Sequence, residues 1–377
     1  MKAAARHWLT ALHRWAGFTL GALFVLMGLS GTVLVFDEEL DAALNPALYH
    51  GGCASASTAP VDAALAADAV QARWPGARPG FVYLPEQPGG IYRVTFKAPK
   101  VADNEAMVDA CGIVLGSRDR QAGTLDALHL MPTLQTWHLN MFQGKEGRMA
   151  QGYIGLAIAV LLIAGLVLAW PKSGHGIKKW RRALHVKLNQ HRYRTHYDLH
   201  RAAGLLFMPL LLVLALTGFY NGLPELGRSL VAGVAPVAAD RRALALPKLE
   251  KGEAAISWKE VQAIAAPYLT NGTQLVAIAR QPERGLYQAR MRRADDSQRS
   301  GTYRLFIDMR TGKVLQISNP RAGEYADIFL ASLFPLHSGQ LGGPAIKWLI
   351  ALSGLLPALF FFTGITTWLL RRKKQLV

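Results

Sequence analysis

Four of the chain's 11 histidines recur in matched positions, and their chemistry frames the rest of the sequence. His13 lies in LHRWAG (Leu12 to Gly17) and His200 in LHRAAG (Leu199 to Gly204), each at the polar start of a long apolar run. His138 and His337 stand ahead of two further apolar runs, in Trp137-His138 and Leu336-His337. A neutral imidazole carries a lone pair on one ring nitrogen and a proton on the other, which makes histidine the commonest metal ligand. Two such rings facing each other away from water are costly with nothing between them, whereas a six-coordinate iron uses both lone pairs at once. The expected pairs are His13 with His200 and His138 with His337, and two pairs imply two iron porphyrins.

The pairing rests on an internal duplication. With His13 aligned on His200, an offset of 187, the pairs Leu12/Leu199, Arg14/Arg201, Ala16/Ala203, Gly17/Gly204, Leu29/Leu216 and Gly31/Gly218 coincide without a gap. Aligning His138 on His337 also brings Gly155 onto Gly354 and Gly165 onto Gly364. Gly17 and Gly204 fall about one helical turn after their histidines, so the same face loses its side chains where a flat macrocycle or a partner helix must approach. Arg14 and Arg201 adjoin the histidines and read either as partners for haem propionates or as ordinary basic anchors. His196, four residues before His200 on one helical face, is the competing inner ligand. His7, His129, His175, His185 and His191 have no counterpart, and His50 lies in a loop. No Cys-x-x-Cys-His occurs, which argues against covalent haem attachment.

The elements that must carry these residues are membrane helices. The chain is 51% hydrophobic with mean hydropathy +0.16, too apolar for an ordinary soluble enzyme. Four runs are near the length that crosses a hydrocarbon core of roughly 30 Å: Trp15 to Phe36, Gly152 to Trp170, Gly204 to Leu223 and Ile346 to Leu370. The formal charge of +17 does not point to nucleic acid, because the basic residues cluster on one side of this topology. Lys2, Arg6 and Arg14 precede the first run, nine basic residues lie from Lys172 to Arg201, and Arg371 to Lys374 follow the last. The positive-inside rule then places both termini in the cytoplasm. The acidic patch Asp37 to Asp41 follows the first run where a cleavage site would be expected, so that run reads as a retained anchor.

Between the spans, each half carries a small domain of one helix followed by strands. Val70-Gln71-Ala72 echoes Val261-Gln262-Ala263, and VDACGIVL (Val108 to Leu115) echoes IDMRTGKVL (Ile307 to Leu315). Cys53 and Cys111 both fall in the first of these segments, where a disulfide or two free thiols are open. Because each half has two spans, the halves share one orientation and are related by an axis along the membrane normal. The expected divisions are 1–36 (N-terminus and first span), 37–137 (first outer domain), 138–170 (outer histidine and second span), 171–198 (cytoplasmic loop), 199–223 (third span), 224–330 (second outer domain) and 331–377 (outer histidine, fourth span and basic tail).

These motifs resemble the PepSY-associated transmembrane family, a group of iron-regulated inner-membrane proteins that includes ferric siderophore reductases of the FoxB type. The resemblance covers nearly the whole chain. It is carried by LHRWAG and LHRAAG, by LSG (Leu29 to Gly31) and LTG (Leu216 to Gly218), by LHSGQ (Leu336 to Gln340) and by the two outer segments; WHLNMFQG (Trp137 to Gly144) departs from the LHSGQ form. It implies an α+β membrane protein of the bacterial inner membrane: four transmembrane helices as two parallel repeats of two, with two extracytoplasmic PepSY-like α/β domains. It further implies two non-covalent haem b groups held by His13, His200, His138 and His337, and electron transfer outward to a ferric siderophore, releasing Fe²⁺. No Gly-x-Gly-x-x-Gly turn follows a strand, so the expected donor is membrane quinol or a separate cytoplasmic flavin or NAD(P)H reductase. The rival readings are a siderophore permease and a non-enzymatic PepSY anchor for a protease or another partner protein. From Arg228 to Arg321 there are 16 basic and 8 acidic side chains, which favours an anionic chelate.

Overall fold

The computed structural model describes residues 2–51, 61–171, 177–188, 191–238, 244, 246–250 and 252–373. Its helices are α1 (Ala3–Leu34), α2 (Asp37–Leu44), α3 (Pro46–Tyr49), α4 (Ala63–Arg73), α5 (Leu130–Asn140), α6 (Gly144–Ala169), α7 (Ile177–Leu184), α8 (Arg192–Gly222), α9 (Pro224–Ala232), α10 (Trp258–Ala265), α11 (Tyr325–His337), α12 (Gly343–Ser353) and α13 (Leu356–Lys373). The strands are β1 (Arg78–Tyr83), β2 (Tyr92–Lys97), β3 (Glu105–Val108), β4 (Val114–Arg118), β5 (Gln274–Gln281), β6 (Leu286–Arg292), β7 (Tyr303–Asp308) and β8 (Val314–Ser318). The chain divides into a helical unit (Met1–Phe36, Trp137–Ser229, Leu336–Val377) and a sheet unit (Asp37–Thr136, Leu230–Pro335).

In the helical unit, four stretches are long and apolar enough to cross a membrane: Ala3–Leu34, Gly144–Ala169, Arg192–Gly222 and Gly343–Arg372. Two of them start twelve residues earlier than the apolar runs, so His13 and His200 lie within helices rather than at their starts. The fourth is broken between α12 and α13 at Gly354–Leu355, just ahead of Pro357, whose ring has no N–H to continue the ladder. Gly354 is also where α12 meets α1: a Cβ there would run into the Gly28 carbonyl and the Thr32 hydroxyl, and Thr32 donates to the Ala351 carbonyl at 2.7 Å. Helices α6 and α8 close in the same way, since a Cβ on Gly155 would stand 2.9 Å from the Ala215 carbonyl. Without a hydrophobic drive between helices in lipid, such small-residue contacts supply the packing.

In the sheet unit the two segments form one eight-stranded antiparallel sheet, in the order β4-β3-β2-β1-β5-β6-β7-β8. Two separate outer domains were the expectation; here each segment supplies one helix and a four-stranded meander, and the meanders join through β1 and β5. The junction pairs Phe81 with Ala279, Val82 with Ile278 and Tyr83 with Ala277. The reason is physical: each meander alone would leave an unpaired strand edge, and joining them removes one from each. Helices α4 and α10 cover one face and share a core, with Ala63, Ala66, Ala67, Val70, Val261 and Ala265 buried against Val82, Val94, Ile278, Tyr287, Leu305 and Ile307. Gln262 links the helices, accepting from the Ala63 N–H at 3.0 Å. Cys111 is disulfide-bonded, while Cys53 lies outside the described residues.

Arg118 fixes α2 against β4. Its guanidinium donates to both Asp41 oxygens at 2.8 and 2.7 Å and through Nε to Glu105 at 2.8 Å. Tyr49 donates to Asp41 at 2.6 Å, and Glu105 is only 1% exposed. Burial alone would raise the Asp41 and Glu105 pKa values, but the facing guanidiniums outweigh it and hold both below the usual range.

Candidate functional site

The helical unit brings the four repeat-matched histidines into two pairs. The rings of His13 (α1) and His200 (α8) have centroids 6.4 Å apart and planes crossing at 84°. The rings of His138 (α5) and His337 (α11) have centroids 6.3 Å apart and planes at 53°. Two imidazoles bound through nitrogen to opposite sides of one metal ion, with bonds of roughly 2.0 Å, stand with centroids about 6.3 Å apart. Along α1, 18 residues separate His13 from Gly31, which touches His138; at 1.5 Å per residue the pairs are about 27 Å apart along that helix.

Each ring is backed by a glycine of another helix. A Cβ on Gly31 would lie 3.2 Å from Cε1 of His138, on Gly218 3.4 Å from that of His337, on Gly165 2.9 Å from that of His13, and on Gly364 3.5 Å from that of His200. Gly17 and Gly204, the glycines expected at the inner site, do not touch the rings. Gly17 faces open space, and a Cβ on Gly204 would meet only Phe360, at 4.0 Å. Each ring projects across to a neighbouring helix, whose glycine leaves it room.

The residue before the glycine holds the ring's other nitrogen. Ser30 Oγ lies 2.9 Å from His138 Nδ1, Thr217 Oγ1 2.9 Å from His337 Nδ1, and Thr363 Oγ1 3.0 Å from His200 Nδ1. Each hydroxyl has its proton directed at its own helix: Ser30 to the Leu26 carbonyl at 2.9 Å, Thr217 to Val213 at 2.8 Å, Thr363 to Leu359 at 2.6 Å. The hydroxyl oxygen is therefore an acceptor toward the ring, and Nδ1 must carry the imidazole proton. A second acceptor agrees at one ring: His200 Nδ1 also donates to the Phe360 carbonyl at 3.1 Å. With the proton on Nδ1, Nε2 is the lone-pair nitrogen of His138, His337 and His200. Orienting a metal-binding histidine through its other ring nitrogen is the usual outer-shell arrangement.

This arrangement fits a porphyrin better than a bare ion. Among the described residues, no group of three or more His, Cys, Asp or Glu side chains is placed to hold a metal. Two imidazoles would leave a bare ion short of ligands, whereas a tetrapyrrole would bring nitrogen donors of its own.

The remaining expected residues divide. His196 has a buried Nδ1 without a hydrogen bond, and no histidine ring pairs with it; it is His200, one turn further along α8, that faces His13. Arg201 is engaged with Asp198 at 3.0 Å and with the Ala183 and Arg182 carbonyls, so it serves the packing of α7 on α8. Arg14 lies over Trp15 with a buried Nε that has no hydrogen bond, which leaves it as the arginine suited to an anionic group. The three hydroxyls were missed as site residues. Their signal was present in LSG and LTG, where a hydroxyl directly precedes the glycine.

In the sheet unit, the face opposite α4 and α10 carries a second feature absent from the motif reading. Phe81 and Tyr83 stack with centroids 4.4 Å apart, Arg93 lies 4.1 Å over Tyr83, and Arg290 lies 4.7 Å over Phe81. Among the described residues Arg290 pairs with no carboxylate; its Nε donates to Gln288 at 3.0 Å, and burial pushes its pKa down.

Comparison with known proteins agrees with this architecture. The model of the family described as the PepSY-associated TM region matches residues 10–371. An uncharacterized protein of Pseudomonas aeruginosa is 32% identical over 111 residues, 29% of this chain and 26% of that protein, so the chain aligns with about a quarter of that relative's length. With the family match running through all four candidate spans and the sheet between them, the chain belongs to the PepSY-associated transmembrane family.

Proposed function

We propose that the protein is a di-haem membrane reductase that passes single electrons to a ferric chelate on the outer side of the bacterial inner membrane, with both termini in the cytoplasm. The observation that carries this reading is the pairing of His13 with His200 and of His138 with His337 at about the separation of two ligands on one metal, with the Nδ1 proton of three of the rings assigned by their hydroxyl acceptors. Two imidazoles that turn unprotonated nitrogens toward each other repel unless a Lewis acid lies between them. Haem b bound at each pair would supply a one-electron relay, with axial imidazoles and burial setting its potential.

The chain's own residues do the rest. The four histidines hold the two sites at opposite ends of the spans, and the glycines that back them let each ring seat against a neighbouring helix. Arg14 would pair with a propionate of the inner group. Membrane quinol, or a separate flavin or NAD(P)H reductase, is the donor; one quinol gives two electrons and two protons and so reduces two ferric chelates. Reduction loosens the substrate because hard oxygen ligands suited to Fe³⁺ hold Fe²⁺ less well. Arg290 and Arg93 beside Phe81 and Tyr83 favour a ferric siderophore that is anionic and partly aromatic.

The test is the optical spectrum of the purified chain. A reduced-minus-oxidised difference typical of low-spin b-type haem, at two haems per chain, is expected. His13→Ala should lose about half the haem, with the outer site retained. A colourless protein would leave the anchor or permease reading standing.

A further inference from the structure

The four histidine cradles are built alike except in one place, and that exception makes the two proposed haem sites unequal. In three cradles the glycine against the ring is preceded by a hydroxyl that accepts from Nδ1: Ser30-Gly31, Thr217-Gly218 and Thr363-Gly364. In the fourth, the glycine against His13 is Gly165, and the residue before it is Ala164. Where His200 Nδ1 also has the Phe360 carbonyl, Nδ1 of His13 is buried with no hydrogen bond. A buried ring nitrogen without a partner is costly, and the ring lacks the contact that fixes the plane of the other three.

We propose that Ser30, Thr217 and Thr363 are positioning residues that set the tautomer, ring plane and electron donation of three axial ligands, and that Ala164 leaves His13 as the weakly donating fourth. The inference rests on the di-haem reading and goes beyond it. An Nδ1–H that donates to a hydroxyl leaves more electron density on Nε2, strengthens the bond to iron and favours Fe³⁺ over Fe²⁺. The outer site thus has two hydroxyl-supported ligands and the inner site one. Removing a hydroxyl should raise the potential of its own haem, and adding one at position 164 should lower that of the inner haem.

The experiment is a redox titration of the full-length chain in detergent or nanodiscs, following the two haems optically. Ser30→Ala and Thr217→Ala are each expected to shift the outer haem upward by a change of up to tenfold in ferric-over-ferrous preference, which for one electron is about 59 mV. Thr363→Ala should shift the inner haem less, because the Phe360 carbonyl still accepts from His200. Ala164→Ser is expected to shift the inner haem downward and leave the outer one in place. If Ser30→Ala fails to retain haem, Ser30→Thr should restore both haem and potential, a rescue that a general folding defect would not show. Wild-type protein without haem would sink the functional reading itself. Haem-replete variants whose ferric-over-ferrous preference stays within twofold of wild type, Ala164→Ser included, would overturn this inference alone.

Discussion

The glycines behind the four rings offer a graded test, because each leaves a different amount of room. A Cβ at position 165 would stand 2.9 Å from Cε1 of His13, 3.6 Å from its Nδ1 and 3.7 Å from its Nε2. Carbon atoms rest at about 3.5–4.0 Å, so His13 or α6 must move by roughly 0.6–1 Å. A ligand constellation tolerates displacements of about 0.5 Å. Gly165→Ala should therefore weaken haem retention at the inner site by about 10–100-fold, the range seen when the support of a metal ligand is disturbed. At 1.4 kcal/mol per tenfold, that is roughly 1.4–2.8 kcal/mol. Gly364→Ala puts its Cβ 3.5 Å from His200, an ordinary contact, and should change nothing measurable. Gly31→Ala (3.2 Å) falls between them, and Gly218→Ala (3.4 Å) lies close to Gly364→Ala. Alanine favours a helix over glycine by about 1 kcal/mol, so a loss at position 165 cannot be charged to a weaker helix. Haem content and the rate of haem transfer to apomyoglobin, measured on all four variants, read the order directly. Equal loss in Gly364→Ala and Gly165→Ala, or full retention in Gly165→Ala, would refute the cradle argument.

Two further outcomes follow from other geometry. The inner imidazole planes cross at 84° and the outer at 53°, so electron paramagnetic resonance of the oxidised protein should give two low-spin signals, the more anisotropic one disappearing in His13→Ala; loss of the less anisotropic signal instead would reverse the assignment. In the sheet unit, Arg118→Met should destabilise by about 3–5 kcal/mol, because Asp41 and Glu105 are left buried without their guanidinium. Both carboxyls are held below their ordinary values of 3.8 and 4.5, so their contribution is full above that range and lost as pH falls through the depressed values. Denaturant curves of the full chain should thus show the wild-type advantage shrinking below about pH 4; an advantage independent of pH would contradict the pairing.

How much of this was legible varied with the range of the interaction involved. The histidine pairs could be read because duplication writes equivalent positions twice, and the spans because apolar length is a local property. The starts of α1 and α8 could not: Ala3 to Arg14 and Arg192 to Ala203 are too polar to read as span, yet they are helical and extend the ladder. The joining of β1 to β5 left no local sign, since Phe81 and Ala279 are nearly 200 residues apart and short strands carry little register information. Arg118 meeting Asp41 across 77 positions is hidden for the same reason.

The hydroxyls are the more instructive case. A serine or threonine in an apolar helix ordinarily satisfies itself on the carbonyl one turn back, and Ser30, Thr217 and Thr363 all do so. Taken one helix at a time, that bond seems to explain the residue completely. It is because the hydroxyl proton is already used that the oxygen can only accept, and this fixes the proton on the ring of a different helix. The glycine that follows opens the space through which that ring arrives. A Ser-Gly or Thr-Gly step in a membrane helix thus specifies a histidine's tautomer at a distance. Its replacement by Ala164-Gly165 is the point where the duplicated halves depart from each other in the machinery around the rings.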